Sequence, residues 1–201
     1  MEILNEALAQ FSEDKARVDI QLREAGLNGF DCCEFFKDRP RCQVLEISGD
    51  FSWSDFTAGI FRAPEPYLSK KAIALTGWFI GADFKECRFN RTELSGDFAH
   101  AKFDGAHLHE CKLSGIFHRA RLGVDLSSCD ISAEAEFQGA DLRGGKGVFH
   151  SEKQLHGARI GSDDRIVVRT GAKISILGEE YGLCRISQWS KSIYTGADGG
   201  G

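Results

Sequence analysis

The stretch that decides the fold is residues 79–98, which read FIGADFKECRFNRTELSGDF. A large apolar residue recurs there at every fifth position, as Phe79, Phe84, Phe89 and Leu94. Neither the 3.6-residue period of a helix nor the two-residue alternation of a strand produces this spacing. It is typical of a chain that turns a corner every few residues and points one bulky side chain inward on each side.

The five-residue period extends well beyond this stretch. Offset by one residue, the large positions continue to residue 142, and Phe51, Phe56 and Phe61 show the same spacing upstream. A compact residue stands two positions before each large one from Phe79 onward: Gly77, Ala82, Cys87, Thr92, Gly96, Ala101, Ala106, Cys111, Gly115, Ala120, Val124, Cys129, Ala135 and Ala140. Such regularity indicates an internal repeat.

A longer period accompanies the short one. If four sides close one coil, equivalent residues should recur after about 20 positions. Two series do so, and we expect each to stack in one file: Phe61, Phe79, Phe98, Phe117 and Phe137 in the first, and Phe84, Phe103, Leu122 and Leu142 in the second. Successive coils would pair as parallel strands about 4.8 Å apart.

This pattern resembles the pentapeptide-repeat family, whose signature is a compact residue, a variable one, Leu or Phe, and two variable ones. Gly81-Ala82-Asp83-Phe84 and Gly139-Ala140-Asp141-Leu142-Arg143 are close to it. The resemblance covers about residues 49–61 and 75–142, less clearly 153–160. It implies a mainly β fold, a short right-handed four-sided parallel β-helix with a solid core. The predicted core residues are Phe61, Phe79, Phe84, Phe89, Leu94, Phe98, Phe103, Leu108, Leu113, Phe117, Leu122, Leu126, Ile131, Phe137 and Leu142.

Some steps depart from the regular repeat. Four-residue steps from Leu94 to Phe98, Leu113 to Phe117 and Leu122 to Leu126 predict tightened corners, and the six-residue step from Ile131 to Phe137 predicts a bulge. The two prolines within residues 62–71 interrupt the pattern and predict a side that bulges outward.

The flanks predict caps for the two ends of the β-helix. Residues 2–11 place apolar side chains at helical spacing, and Ser12 can cap a second helix that ends before Gly26. We therefore predict an N-terminal helical cap over 1–27 and the β-helix over 28–160. Residues 161–195 read as a C-terminal cap or small β/α add-on, with two strands in 165–177 and a short helix holding Ile186 and Trp189. A flexible tail would follow over 196–201.

Composition excludes several classes of protein. The chain has 25 Lys+Arg against 30 Asp+Glu, a net charge of −5, and 42% hydrophobic residues. This is too apolar for a disordered chain and too acidic for a direct nucleic-acid binder. The longest apolar runs are too short to span a membrane, and residues 1–20 lack the pattern of a secretory leader, so we expect a cytoplasmic location.

No cofactor, metal ligand or catalytic residue is predicted. The seven Cys lack C-x-x-C spacing, which argues against a disulfide framework and a four-thiolate zinc site. Cys87, Cys111 and Cys129 occupy compact inward positions, where cysteine behaves as a small hydrophobe. His100, His118 and Arg119 would share the Phe-stacked face as a surface patch for protein contact. The alternative there is a His-dependent metalloenzyme.

The residue just before each large one should point outward, and many of these are acidic. Asp83, Glu93, Asp97, Asp125, Asp130, Glu136 and Asp141 are the candidate binding residues of this kind. The resemblance implies a DNA-like rod, because members of the family that protect or inhibit type II topoisomerases look like DNA. The alternative is a self-compensated surface, in which Asp83, Lys102, Arg121 and Asp141 stack and form ion pairs.

These observations favour a non-enzymatic protein-binding module. The resemblance implies a bacterial or phage inhibitor or protector of a DNA-handling bacterial enzyme, such as a topoisomerase or an antiviral-defence nuclease complex, acting as a DNA mimic. It also implies that the chain can form a homodimer through a helix end. The alternative is a scaffold or effector that binds its partner through the non-repeat ends, particularly Trp189 and Tyr194.

Overall fold

The chain winds into stacked four-sided coils. The structure, a computed structural model, describes residues 8–12, 14–65, 71–161, 164–170, 173–177 and 191–192. Its strands and helices are β1 Leu8–Phe11, β2 Lys15–Gln21, α1 Cys32–Asp38, β3 Val44–Asp50, β4 Ile60–Phe61, β5 Ala72–Leu75, β6 Arg88–Asn90, β7 Thr92–Leu94, β8 His107–His109, β9 Lys112–Leu113, β10 Asp130–Ile131, β11 Lys146–Phe149, a 3-10 helix Glu152–Leu155, β12 Arg165–Thr170, β13 Lys173–Leu177 and β14 Lys191–Ser192.

Parallel pairing between successive coils builds four faces. We name them by the inward residues of one coil: face 1 contains Phe79, face 2 Phe84, face 3 Phe89 and face 4 Leu94. On faces 1 and 2 the coils pair through single parallel bridges, such as Trp78 with Asp97. Face 3 has a three-stranded sheet in the order β4-β6-β8, and face 4 a seven-stranded sheet in the order β1-β2-β3-β5-β7-β9-β10. The mainly β, four-sided architecture is the one that the repeat predicts.

Files of phenylalanine rings fill the core. On face 1, ring centroids are 5.2 Å apart for Phe51 and Phe79, 5.1 Å for Phe79 and Phe98, 5.1 Å for Phe98 and Phe117, and 4.9 Å for Phe117 and Phe137, all nearly parallel. Every predicted core residue is buried. Large inward side chains thus leave a solid interior rather than a channel.

The predicted position of Phe61 in the stack of phenylalanines below Phe79 is wrong. Phe61 stacks on Phe89 of face 3, with ring centroids 4.8 Å apart, and Phe51 takes the predicted place of Phe61 beneath Phe79. The error arose because the connection through residues 62–71 adds length to that coil, so that Phe51 and Phe79 are equivalent although 28 positions separate them. Of the predicted outward bulge at 62–71, residues 66–70 lie outside the described ranges.

The prediction of N-terminal helices is also wrong over the described residues. β1 and β2 are antiparallel strands, and β2 runs parallel to β3 along its whole length. Ala16 and Val18 are buried at alternate positions, the two-residue period of a strand, and face 4 offers β2 an edge with which to pair. Ser12 accepts a hydrogen bond from the Lys15 backbone in the turn between the strands, rather than capping a helix. The predicted helical residues before Leu8 lie outside the described ranges.

The C-terminal part continues from the last coil. β11 pairs in parallel with β12, β12 is antiparallel to β13, and β13 is antiparallel to β14. The predicted helix at Ile186 and Trp189, Tyr194 and the tail 196–201 fall outside the described residues. Within the described ranges, no helix has the length and apolar character needed to cross a bilayer.

Candidate functional site

The predicted outward acids of faces 2, 3 and 4 are mostly neutralised by basic residues of the next coil. Ion pairs join Lys102 to Asp83 at 3.3 Å, Lys112 to Glu93 at 3.4 Å, Lys146 to Asp125 at 3.0 Å and Arg159 to Asp141 at 3.6 Å. Arg143, two residues along the same coil, also pairs with Asp141 at 2.5 Å. Each exposed pair contributes only about 0.2–1 kcal/mol. Together they remove the negative potential that these carboxylates would otherwise present.

Asp130 is an exception on face 4. It is exposed and in register with Lys112, but its carboxylate makes no hydrogen bond or ion pair within the described part of the chain. It therefore provides a control for the paired acids.

Asp125 is the most strongly stabilised of these carboxylates. The hydroxyl and the backbone N–H of Ser127 both donate to it, at 2.5 and 2.9 Å, and Lys146 pairs with it. These contacts, the Ser127 hydrogen bonds first, lower the pKa of Asp125 to about 2. Because its folded pKa is depressed, its contribution to stability is present above the unfolded pKa near 4 and is lost as the pH falls towards 2.

We expect Asp125→Asn to reduce the amount by which the free energy of unfolding falls as the pH is lowered. The side chain is 51% exposed, so screening limits the change to less than about 1 kcal/mol. Urea unfolding at about pH 5 and about pH 2.5 measures the difference. Asp130→Asn, which removes an exposed carboxylate without a partner among the described residues, is the matched control. An equal effect of both variants on the difference between the two pH values would contradict the assignment.

Face 1 differs from the other three faces. The residues just before its phenylalanines form an outward file, which we call the face 1 column: Asp50, Trp78, Asp97, Ile116 and Glu136. The column contains no Lys or Arg. Trp78 is 59% and Ile116 37% exposed. Acids therefore alternate with exposed apolar side chains.

Asp97 is the least compensated acid of this column. Its carboxylate accepts a hydrogen bond from the Ala99 backbone at 2.9 Å and makes no ion pair with any described residue. Asp50, by comparison, accepts from Ser52 at 3.0 Å and lies 3.6 Å from Arg23. Negative charge thus remains available beside Trp78.

The corner beside face 1 presents a second tryptophan. Trp53, His100 and Arg119 occupy equivalent corners with φ of 63°, 61° and 56°, where Gly81 and Gly139 stand in other coils. Trp53 is 55% exposed, and its ring covers Gly81 so closely that a Cβ at Gly81 would meet ring carbons at 2.4 Å. No signal in the repeat predicted either exposed tryptophan as a contact residue, because both occupy variable positions.

The predicted histidine patch lies along face 1 and its corner. His118 Nε2 is 2.7 Å from a carboxylate oxygen of Glu136, and the His100 backbone N–H donates to the His118 carbonyl at 2.8 Å. Adjacent coils thus bring His100, His118 and Arg119 together, with Glu136 beside them. Among the described residues, no group of three His, Cys, Asp or Glu side chains is placed to hold a metal ion.

A cleft of about 550 Å³ opens at the corner between faces 2 and 3. It lies between residues 105–109 and 123–128, where the four-residue step from Leu122 to Leu126 tightens one coil and β8 ends the face 3 sheet. His107 and His109 line it, and Asp125 at its rim is paired with Lys146. These groups do not converge on one point.

Three comparisons bear on identity. Residues 79–116 match the family profile described as pentapeptide repeats, in eight copies. A search of curated proteins finds no match. A trypsin-treated variant of QnrB1, a plasmid-mediated fluoroquinolone resistance protein, is 15% identical over 71% of this chain and 78% of its own, with a TM-score of 0.33. The pentapeptide repeat protein Rfr23 from the cyanobacterium Cyanothece 51142 is 15% identical over 58% of this chain and 90% of its own, with a TM-score of 0.16.

The family match covers two residues of the face 1 column, Asp97 and Ile116. It includes Phe79, Phe84, Phe89 and Leu94, which have the five-residue spacing, and extends through the next coil to Ile116. The chain therefore contains pentapeptide repeats over residues 79–116, within a pentapeptide-repeat β-helix.

Proposed function

We propose that this protein is a non-enzymatic protein-binding module whose contact surface is face 1 with its Trp53 corner, and that its partner is a DNA-handling bacterial enzyme, which it inhibits or protects. One observation carries the proposal. The acids of the other faces mostly pair with basic residues of the next coil, whereas the face 1 column combines uncompensated acid with exposed Trp78 and Ile116.

Two properties of face 1 favour protein binding: an exposed tryptophan and a rigid backbone. Tryptophan is enriched among the residues that contribute most to protein interfaces. The stacked rings of Phe79, Phe98 and Phe117 fix the backbone that presents the column. A preformed surface loses little conformational entropy on docking, so more of the contact energy remains as affinity.

The partner class follows from charge complementarity and from the pentapeptide-repeat resemblance. An enzyme that handles DNA has a basic groove, and an acidic, aromatic face can occupy it. The carboxylates of the face 1 column stand on every second coil, roughly 10 Å apart, whereas duplex DNA carries one charge per ~1.7 Å of its axis. Competition with DNA would therefore come from occupying the same groove, rather than from copying the phosphate spacing.

Affinity capture from a nuclease-treated bacterial lysate tests this function. We expect the immobilised protein to retain a nucleic-acid-handling enzyme, and added duplex DNA or an increase from about 0.1 to about 0.5 M salt to release it. Trp53→Ala should reduce recovery, while Glu93→Gln, on the neutralised face 4, should not. Recovery of no such enzyme, or recovery that DNA and salt leave unchanged, would reject the proposal.

A further inference from the structure

We infer that Asp97, together with Trp78 and Ile116, forms a binding site for an arginine side chain of a partner protein. The inference rests on the proposed function, because it assigns the chemistry of the contact to face 1. It commits the partner to a segment that presents an arginine at this point.

Register places the three side chains side by side. Trp78 pairs with Asp97, and Asp97 with Ile116, as parallel bridge partners on three successive coils. Bridge partners on adjacent parallel strands lie about 4.8 Å apart and point their side chains to the same side. The carboxylate of Asp97 therefore stands between an exposed indole and an exposed branched aliphatic chain.

The electrostatics of this group favour a cation. The hydrogen bond from the Ala99 backbone orients the Asp97 carboxylate and leaves most of its acceptor capacity open. Asp50, on the coil on the other side of Trp78, is mostly buried and pairs with Arg23 at 3.6 Å, so Asp97 supplies the negative charge of the site. An indole beside an unpaired carboxylate attracts a cation both through its ring face and through the neighbouring charge.

The shape of the group favours arginine over lysine. A planar guanidinium can bond a carboxylate with two parallel N–H groups and stack its flat face on an indole at the same time. Its methylene stem would lie against Ile116, as the apolar stems of long basic side chains do on apolar surface. A lysine ammonium offers neither the bidentate fork nor the stacking plane.

The other faces offer no equivalent group in the described part of the chain. On face 2, Asp83 is already paired with Lys102, and on face 4 Glu93 is paired with Lys112. The residue that precedes Asp83 in its file is another acid, Asp55, rather than an exposed aromatic. Asp83→Asn is therefore the matched control, since it removes the same charge from the same repeat position one face away.

The test uses three short peptides, acetyl-Gly-Gly-Xaa-Gly-Gly-amide, with arginine, lysine or citrulline at the central position. They are titrated into the full chain while the indole N–H resonances are followed by NMR, with Trp78→Phe identifying the Trp78 signal. We expect the arginine peptide to shift this signal, the lysine peptide to bind more weakly, and neutral citrulline to leave it in place. Asp97→Asn should weaken arginine binding about two- to fivefold, read from the Trp78 signal. Trp78→Ala should weaken it similarly, read from the backbone N–H of Ala99, which donates to the Asp97 carboxylate.

Three results would overturn the inference: no shift at Trp78, an equal shift with citrulline, or an equal loss for Asp97→Asn and Asp83→Asn. The last would mean that the peptide responds only to net charge. Failure here is distinguishable from failure of the proposed function. If the lysate partner is captured equally by wild type and by Asp97→Asn, the binding function stands and the arginine site falls.

Discussion

Phe98→Ala should lower the free energy of unfolding by about 3–5 kcal/mol, the range for truncating a fully buried phenylalanine. Phe98 is inaccessible to solvent and lies between Phe79 and Phe117, with both centroid distances at 5.1 Å. It also meets Phe84 and Phe103 at 6.1 Å. The substitution leaves a cavity in a column whose neighbours are held by their own coils, so little collapse can relieve it.

Chemical denaturation with urea measures this loss, and Trp78→Ala is the control for stability. Trp78, a larger aromatic residue, directly precedes Phe79 on the neighbouring coil, but it is 59% exposed and its loss should cost less than about 1 kcal/mol. Similar losses for the two variants would contradict the assignment of Phe98 to the interior and of Trp78 to the surface.

The periodic part of the fold was predictable because one physical requirement repeats in it. Each side of a coil must bury a large side chain and keep a compact one beside it, so that Phe84, Phe89 and Leu94 reveal the geometry without any long-range information. The ion pair between Asp83 and Lys102 followed from the same register, since the two residues are equivalent in successive coils. The expected pair of Arg121 with Asp141 is wrong, because Arg121 reaches Asp104 instead.

The remainder depended on facts that no local pattern contains. The place of Phe51 beneath Phe79 depends on how much chain the connection through 62–71 takes up. The strand β2 depends on the edge that β3 offers about 30 residues later, and its Ala16 and Val18 alternate too briefly to outweigh the helical spacing before them. The corner conformation of Trp53 has no sequence signal, because glycine is the residue expected at positive φ.

The candidate site could be predicted from the sequence only in part. Asp97 was predicted as an outward acid from its place before Phe98. Its difference from Asp83 and Glu93 could not be predicted from the sequence position alone. Whether a carboxylate is neutralised depends on which residues lie one coil above and below it. Trp78 and Ile116 occupy the same outward position in the neighbouring coils, but an apolar residue at a variable position carries no charge pattern that marks it as a contact residue.

Gly96→Ala should destabilise the protein by about 3 kcal/mol or more, because backbone rather than a movable side chain occupies the space. A Cβ on Gly96 would lie 2.2 Å from the Gly77 carbonyl oxygen. That oxygen cannot move away freely, since it accepts the Asp97 N–H at 3.0 Å in the ladder between coils. Gly115 repeats the arrangement one coil on, 2.2 Å from the Gly96 carbonyl oxygen.

Gly26→Ala is the matched control, because the nearest atom to its Cβ would be 3.7 Å away, and we expect a change within about 0.5 kcal/mol. The chain itself offers a second comparison. Ala135 is tolerated at the equivalent corner, where the step from Ile131 to Phe137 has six residues and the Ala135 N–H donates to Ser132 at 3.1 Å. Two additional residues thus make room for a methyl group that a four-residue corner excludes. Urea unfolding of both variants decides the matter: a Gly96→Ala protein as stable as Gly26→Ala would show that the tight corner can open, and that its glycine does not fix the spacing of the coils.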